Sequence, residues 1–272
     1  MTSFSDHPSS NFVKLILIGD SGCGKTGALI SLIKAGYKLR IIDLDNGLDA
    51  LRNHCLDECP DSLDAVQYQT FTDVMVPNSI GQIEVKGQPR AFTRAMRSLD
   101  KWPDDSSKPA EWGSDHVLVI DSLTSLSQYA YFWARKNRPE LKVNYAWAGI
   151  AQECIMDMIY ALTGDNYRVN VIIISHIDWR GGIHEMDKER KQLPEKGYVM
   201  SIGKAIGPKI PTRFNTVLES RVTGTGSNAK RQIHVIPRPM LDLKNPAPAR
   251  MGKGPYPIET GLADIFKNLK GE

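Results

Sequence analysis

The sequence predicts an α/β fold: a mostly parallel, twisted sheet flanked by helices, with an antiparallel hairpin at one edge. Three observations carry that expectation. Short, largely apolar runs recur at 12–18, 39–44, 116–120 and 169–175. Helical stretches lie between several of them, and a glycine-rich turn joins the first run to the first helix. Strands covered on both faces read as near-continuous Val/Ile/Leu runs, as parallel strands packed between helices must.

Taken in order, residues 1–11 read as a flexible tail. The run 12–18 is a buried strand that stops at the glycine turn. A helix follows over 27–35 and is ended by Gly36; 39–44 is the second strand. A short helix covers 48–55, and 66–70 is another strand. The texture then changes. Alternation at 74–76 and 83–85 around 77–82 suggests a hairpin. Pro89 suits the first turn of a helix running to about Trp102. Residues 103–115, rich in Pro, Asp, Ser and Gly, read as loop, so 71–115 is expected as an insertion into the core. The strand 116–120 ends in Asp121. Helices cover 123–136 and 145–163, and 169–175 is a strong strand. The charged, glycine-containing stretch 178–207 shows no clear period and is expected as a mobile, functional loop. Strands at 216–223 and 231–236 form the closing hairpin. Four prolines fall between 237 and 248, and a short helix is expected at 261–270. The core thus spans 12–240, with 241–272 as a C-terminal extension.

Bulk properties narrow the function classes. The chain has 272 residues, 41% hydrophobic and 24% charged, ordinary for a soluble globular protein, and suits one large domain or one domain with additions. A formal charge of +3 is too mild to prove a nucleic-acid partner. The longest apolar stretches fall far short of the roughly 20 residues of a membrane-spanning helix. The first eleven residues lack the layout of a signal peptide. Four cysteines make no disulfide scaffold in a chain this long, and a reducing, cytoplasmic compartment is expected. His54, Cys55 and Cys59 lie close together, but no second Cys/His pair stands at zinc spacing, so they read as ordinary helix residues.

The chemistry begins at Gly19-Asp20-Ser21-Gly22-Cys23-Gly24-Lys25-Thr26, followed by Gly27. It fits the phosphate-binding pattern G-x-x-x-x-G-K-[ST] at every fixed position. Glycines let backbone N–H groups curl inward towards phosphate oxygens, and the following helix turns its positive end to the same anion. Lys25 is placed for the β- and γ-phosphates and Thr26 for magnesium, so ATP and Mg2+ are the expected ligands. Asp121, ending a buried strand, is a second magnesium position; otherwise it caps the next helix, as Ser122 also can. Ser122 stands where many ATPases carry a catalytic glutamate. The water-activating carboxylate must come from elsewhere, and Asp45, beyond Asp43 on the same strand face, is the candidate. His176, at the end of the strand 169–175, is placed to bond the γ-phosphate and report it to the loop that follows.

Together these residues resemble the RecA superfamily of recombination ATPases. In Ile42-Asp43-Leu44-Asp45-Asn46-Gly47-Leu48-Asp49, Asp45 falls at the position of that family's catalytic acid, as Asp in place of Glu. Ile174-Ser175-His176-Ile177 takes the place of its Asn-Gln switch. The chain is similar, more narrowly, to phage-encoded, RecA-like single-strand annealing ATPases. The matching features are Val-Ile-Asp-Ser-Leu-Thr at 119–124, Trp112-Gly113, His176 and the segment 203–211. The resemblance covers about 12–240, and RecA's own extra terminal domains have no counterpart.

It implies a RecA-like P-loop core, self-association into a ring or filament, and ATP hydrolysis completed by a neighbouring subunit. Arg238 is the expected cationic finger, with Lys209, Arg213 and Arg231 as competitors. It also implies single-stranded DNA as partner, contacted by 179–207, with a single-strand binding protein as a further partner in host cytoplasm. Within that loop Trp179 and Tyr198 offer stacking faces, and Arg180, Lys188, Arg190, Lys191, Lys196 and Lys204 offer cations. Two other functions share the phosphate loop. A small-molecule or nucleotide kinase would use 179–207 as a lid. A nucleotide-switched interaction protein, such as a helicase loader, would bind a protein partner.

Overall fold

The computed structural model describes residues 11–79, 81, 83–182 and 193–272. Along the chain run β1 (Lys14–Ile18), a 3-10 turn (Gly27–Leu29) leading into α1 (Ile30–Lys34), β2 (Lys38–Asp43), α2 (Asp49–Glu58), β3 (Val66–Thr70), β4 (Met75–Pro77), β5 (Ile83–Val85) and α3 (Ala91–Ser98). Then come β6 (Gly113–Asp121), α4 (Leu123–Asn137), α5 (Asn144–Thr163), β7 (Val169–Ser175), β8 (Ile177–Arg180) and β9 (Lys196–Val199). The chain closes with β10 (Thr216–Thr223), β11 (Lys230–His234), α6 (Pro248–Met251), β12 (Tyr256–Pro257) and α7 (Gly261–Lys270).

An eight-stranded sheet in the order β12-β11-β10-β1-β7-β6-β2-β3 forms the centre. Every neighbouring pair from β10 to β3 is parallel, while β11 and β12 add antiparallel strands at one edge. The predicted α/β architecture is present: a mostly parallel sheet flanked by helices, with antiparallel strands at one edge. Period-2 alternation divides the core between the two faces. Ile16, Ile18, Ile42, Leu118, Ile120, Val171 and Ile173 pack with α3, α4 and α5 on one side. Leu15, Leu17, Leu39, Ile41, Val117, Val119, Ile172 and Ile174 pack with α1, α2 and α7 on the other. At about 1.5–3 kcal/mol per fully buried aliphatic side chain, these two layers dominate stability.

Two stretches differ from expectation. Residues 103–115 are not all loop: a 3-10 turn covers Pro109–Glu111 and β6 starts at Gly113. Main-chain pairing there needs no apolar side chain. Gly113 pairs with Val169 before a register shift, and the Asn170 amide donates to the carbonyls of Ser114 and His116, each at 2.8 Å. The stretch 178–207 is not featureless either. β8 and β9 form an antiparallel pair from Ile177↔Val199 to Arg180↔Lys196. Short strands of four residues give too little alternation to reveal themselves. The segment 241–272 supplies β12 and α7, and Phe266 of α7 meets Tyr37 edge to face at 5.4 Å.

The topology positions the site. β7 lies between β1 and β6, so β1, β7, β6 and β2 end side by side on one edge. Ligands of open α/β sheets bind beyond the carboxyl ends of the strands.

Candidate nucleotide site

The first strand delivers its turn into a tight space. The Gly19 N–H donates to the Ser175 carbonyl, and a Cβ at Gly19 would lie 2.3 Å from the carbonyl oxygen of Ser220. No side chain fits there. Gly24 has φ +91°, in the left-handed region, and the backbone turns there into the helix. Ser220 Oγ donates to the Cys23 carbonyl at 2.9 Å, which pins the loop to β10. Lys25 is buried, and its ammonium donates to the carbonyls of Gly19 and Asp20, both at 2.8 Å.

Thr26 and Asp121, the two expected magnesium positions, lie side by side. Thr26 Oγ1 donates to Asp121 Oδ2 at 2.6 Å. Ser122, not Asp121, caps α4 by accepting from Ser125 N–H. The Asp121 carboxyl is pushed up to about 6, chiefly by burial, with the charges of Asp45 and Asp43 adding to it. A buried carboxylate beside two others, next to a hydroxyl, is a hard-oxygen set that a magnesium ion would relieve of charge. Among the described residues no cluster of three His, Cys, Asp or Glu could hold a metal alone. A magnesium bound through Thr26 and Asp121 would therefore take its remaining ligands from phosphates and water, as magnesium does in nucleotide sites.

The two aspartates ending β2 separate into different roles. Asp43 is buried; its Oδ1 accepts from the N–H groups of Asp45 and Gly47, and its Oδ2 accepts from Thr70 Oγ1 at 2.9 Å. It shapes the turn. Asp45 is exposed and lines the cleft together with Lys25, Thr26, Asp121 and His176. The His176 N–H donates to Thr124 Oγ1 at 3.2 Å, so the first residues of α4 fix its backbone. Burial and the Lys25 ammonium hold its imidazole below the ordinary histidine range, against the charges of Asp45 and Asp20. A neutral ring near a cation is suited to hydrogen bonding with phosphate without adding a further charge.

The cleft has a volume of about 870 Å3 and a wall that sequence reasoning missed. Ala50 and His54 of α2 form one side; Arg231, Pro257, Ile258 and Glu259 form the other. Arg231 Nε donates to the Gly22 carbonyl at 3.1 Å, placing a cation on the loop within its own chain. Some 230 residues separate Ile258 from the glycine motif, and nothing in a short β12 and its flanks announces the contact.

The other predicted residues sit as follows. Arg238 is bound inside its own subunit: Nη2 donates to Glu219 Oε1 at 2.6 Å and Nε to Oε2 at 3.3 Å. Arg213 bonds the Tyr160 hydroxyl and lies over its ring. Trp179 Nε1 donates to Asp20 Oδ1 at 2.9 Å. Arg180 bonds Asp178 and the Lys204 carbonyl and covers the Tyr198 ring at 4.6 Å. Lys196 pairs with Asp242 at 2.7 Å. Lys188, Arg190 and Lys191 lie outside the described residues. His54 pairs with Glu58 at 3.0 Å, and Cys55 is a buried free thiol.

A family model described as an AAA domain matches residues 11–247. The chain belongs to this AAA-domain family. It is an ATPase of the P-loop class. The AAA-domain protein is also similar to solved structures. One is the RadB recombinase, at 17% identity over 82% of this chain and 79% of that one, with a TM-score of 0.44. Another is a KaiC-like protein from Pyrococcus horikoshii, at 13% identity, 82% and 77% coverage and a TM-score of 0.38. A third is the flagellar accessory protein FlaH from Methanocaldococcus jannaschii, at 11%, with 82% and 76% coverage and a TM-score of 0.34. No curated protein matches the sequence. Among the described residues no helix is long and apolar enough to cross a membrane.

Proposed function

We propose that this AAA-domain protein is an ATP-dependent single-stranded DNA-binding and annealing recombinase of phage type, hydrolysing ATP at subunit interfaces. One observation carries the reading: the chain that lines the nucleotide cleft at His176 continues directly into the β8–β9 hairpin. Ile177 opens β8 immediately after His176, so a phosphate-contacting group and the proposed DNA-contacting element share one backbone.

Within the cleft, loop amides and Lys25 bind the phosphates, and Thr26 with Asp121 would hold the magnesium. The metal, when bound, offsets charge on the β- and γ-phosphate oxygens. Asp45 faces the cleft with no side-chain hydrogen bond among the described residues, and it orients the attacking water. His176 bonds the terminal phosphate and passes its presence to β8. Arg238 and Arg213 are committed within their own subunit, so the cation completing a neighbour's site is more readily supplied by the exposed Lys209.

For DNA, the hairpin is supplemented by the α4–α5 turn, which supports the reading independently. Lys136, Arg138 and Lys142 are exposed there against the single acid Glu140. Tyr145 is 79% exposed, and Arg135 lies over the rings of Tyr131 and Phe132. Cations that follow phosphates, interleaved with aromatic faces, suit a single strand bound without sequence readout. The test is ATP hydrolysis with and without single-stranded DNA, beside a Lys25→Ala control. Stimulation by DNA that Lys25→Ala abolishes supports the reading. Turnover indifferent to DNA removes the DNA assignment and favours a phosphoryl acceptor or protein partner.

A further inference from the structure

The sequence offers Trp179 as a base-stacking face, but its surroundings are those of a linking element. Its indole N–H donates to Asp20 Oδ1 at 2.9 Å, and Asp20 is the second residue of the phosphate loop. The Arg238 guanidinium lies 5.1 Å from the ring centroid. That guanidinium grips Glu219, a buried carboxylate on β10, which stands opposite Ile18 just before the loop begins. The ring also abuts β9. A Cβ at Gly197 would lie 2.8 Å from Trp179 Cζ3, and the Gly197 N–H donates to the Met240 carbonyl at 2.8 Å. Phosphate loop, β8, β9, the 238–241 segment and β10 are thus joined in a closed circuit through one indole.

We propose that Trp179 is a positioning residue that couples the conformation of the phosphate loop to the β8–β9 hairpin through its hydrogen bond to Asp20. The inference rests on nucleotide occupying the phosphate loop and is independent of what the hairpin contacts. Lys25 donates to the carbonyls of Gly19 and Asp20 in the structure described here. A triphosphate competes for that ammonium. Once Lys25 turns to phosphate, the Asp20 peptide loses its donor and reorients, and the carboxylate at Trp179 moves with it. The ring cannot follow without shifting β9, because Gly197 leaves it no slack. Arg238 and Glu219 return the displacement to β10, beside the loop.

The experiment uses the full chain and a nonhydrolysable ATP analogue with magnesium, each variant at saturating analogue as judged by its own binding curve. Hydrogen exchange of the 196–199 amides is the readout, because a purely structural role for Trp179 would not make it depend on nucleotide. In the wild type the analogue should change exchange by about fivefold or more. Asp20→Asn keeps the acceptor and should keep that response. Compared at saturation, whatever their affinity for the analogue, Asp20→Ala and Trp179→Phe should respond by less than about twofold. Should Trp179→Phe fail to fold, the Asp20→Asn and Asp20→Ala pair decides. A full response in folded Trp179→Phe or in Asp20→Ala overturns the proposal, as does a wild-type hairpin indifferent to bound analogue. Failure of the wild type to bind the analogue at all would instead remove the nucleotide reading, and the coupling with it.

Discussion

The phosphate-loop cleft and the β8–β9 hairpin adjoin at His176, yet they are built by opposite means. The cleft is assembled from a contiguous motif and the ends of buried parallel strands, and its key contacts join residues whose types announce their chemistry: Thr26 to Asp121, Lys25 to loop carbonyls. The hairpin buries only a short face: Ile177 and Val199 reach the core, with Trp179 half-buried beside Gly197. Groups from elsewhere also hold it: the Asp20 carboxylate on Trp179, the Asp242 carboxylate on Lys196, and the Met240 main-chain carbonyl on Gly197. The nucleotide-binding pattern is encoded locally, and the proposed coupling rests on tertiary contacts. Substitutions in the cleft should therefore act on turnover, whereas those around the hairpin should act on stability and on the response to ligands.

The largest expected effect is that of Lys25→Ala, which should reduce phosphate release by at least about 100-fold, as removal of a principal charge-stabilising group does. Unchanged far-ultraviolet circular dichroism would show that lost carbonyl contacts are not the cause. Asp45→Asn should come next, with turnover lower by about 100-fold and analogue affinity retained, since only water activation is removed. Full turnover in Asp45→Asn would return Asp45 to a loop residue and erase part of the contrast. Arg238→Ala belongs to the other class. It leaves the buried Glu219 carboxylate with only the looser Arg221 contact at 3.8 Å and should cost about 2–4 kcal/mol in a urea melt, a little under a fully buried pair because the Arg238 guanidinium is partly exposed. Glu219→Gln in the same chain should recover part of that loss. If Arg238→Ala is instead stable but inactive, and mixing it with Lys25→Ala restores turnover, Arg238 acts across a subunit boundary after all. The smallest effect is expected of Tyr145→Ala, about 5–10-fold weaker binding to single-stranded DNA with DNA-free turnover unchanged.

Much of this molecule was legible in its sequence, and the reasons differ by region. The strands β1, β2, β6 and β7 are buried on both faces, so their apolar runs stand out, and the loop they carry obeys a spacing that phosphate geometry imposes. Asp43 and Asp45 look alike in sequence. Only the Thr70 hydroxyl and the turn amides gathered on Asp43 show that one shapes the backbone and the other faces the cleft. Arg238 has the right residue type at a plausible place, but its partner Glu219 is a strand carboxylate whose burial no local pattern betrays. Ile258 and Glu259 were invisible for the simplest reason: they reach the glycine loop from the far end of the chain. β8 and β9 are hard to see because four residues each, Ile-Asp-Trp-Arg and Lys-Gly-Tyr-Val, put only Ile177 and Val199 into the core, too few to show an alternation.

The measurement that bears most directly on the central claim is the affinity for a fluorescent single-stranded oligonucleotide, titrated with the nonhydrolysable ATP analogue and magnesium, and again after chelation of the metal. The coupled cleft and hairpin predict binding that tightens by about 10-fold or more with analogue and magnesium, weakens as salt rises, and loses its nucleotide dependence on chelation. Affinity that stays the same with analogue, without it and after chelation would contradict the account, leaving an ATPase whose cleft and hairpin work apart.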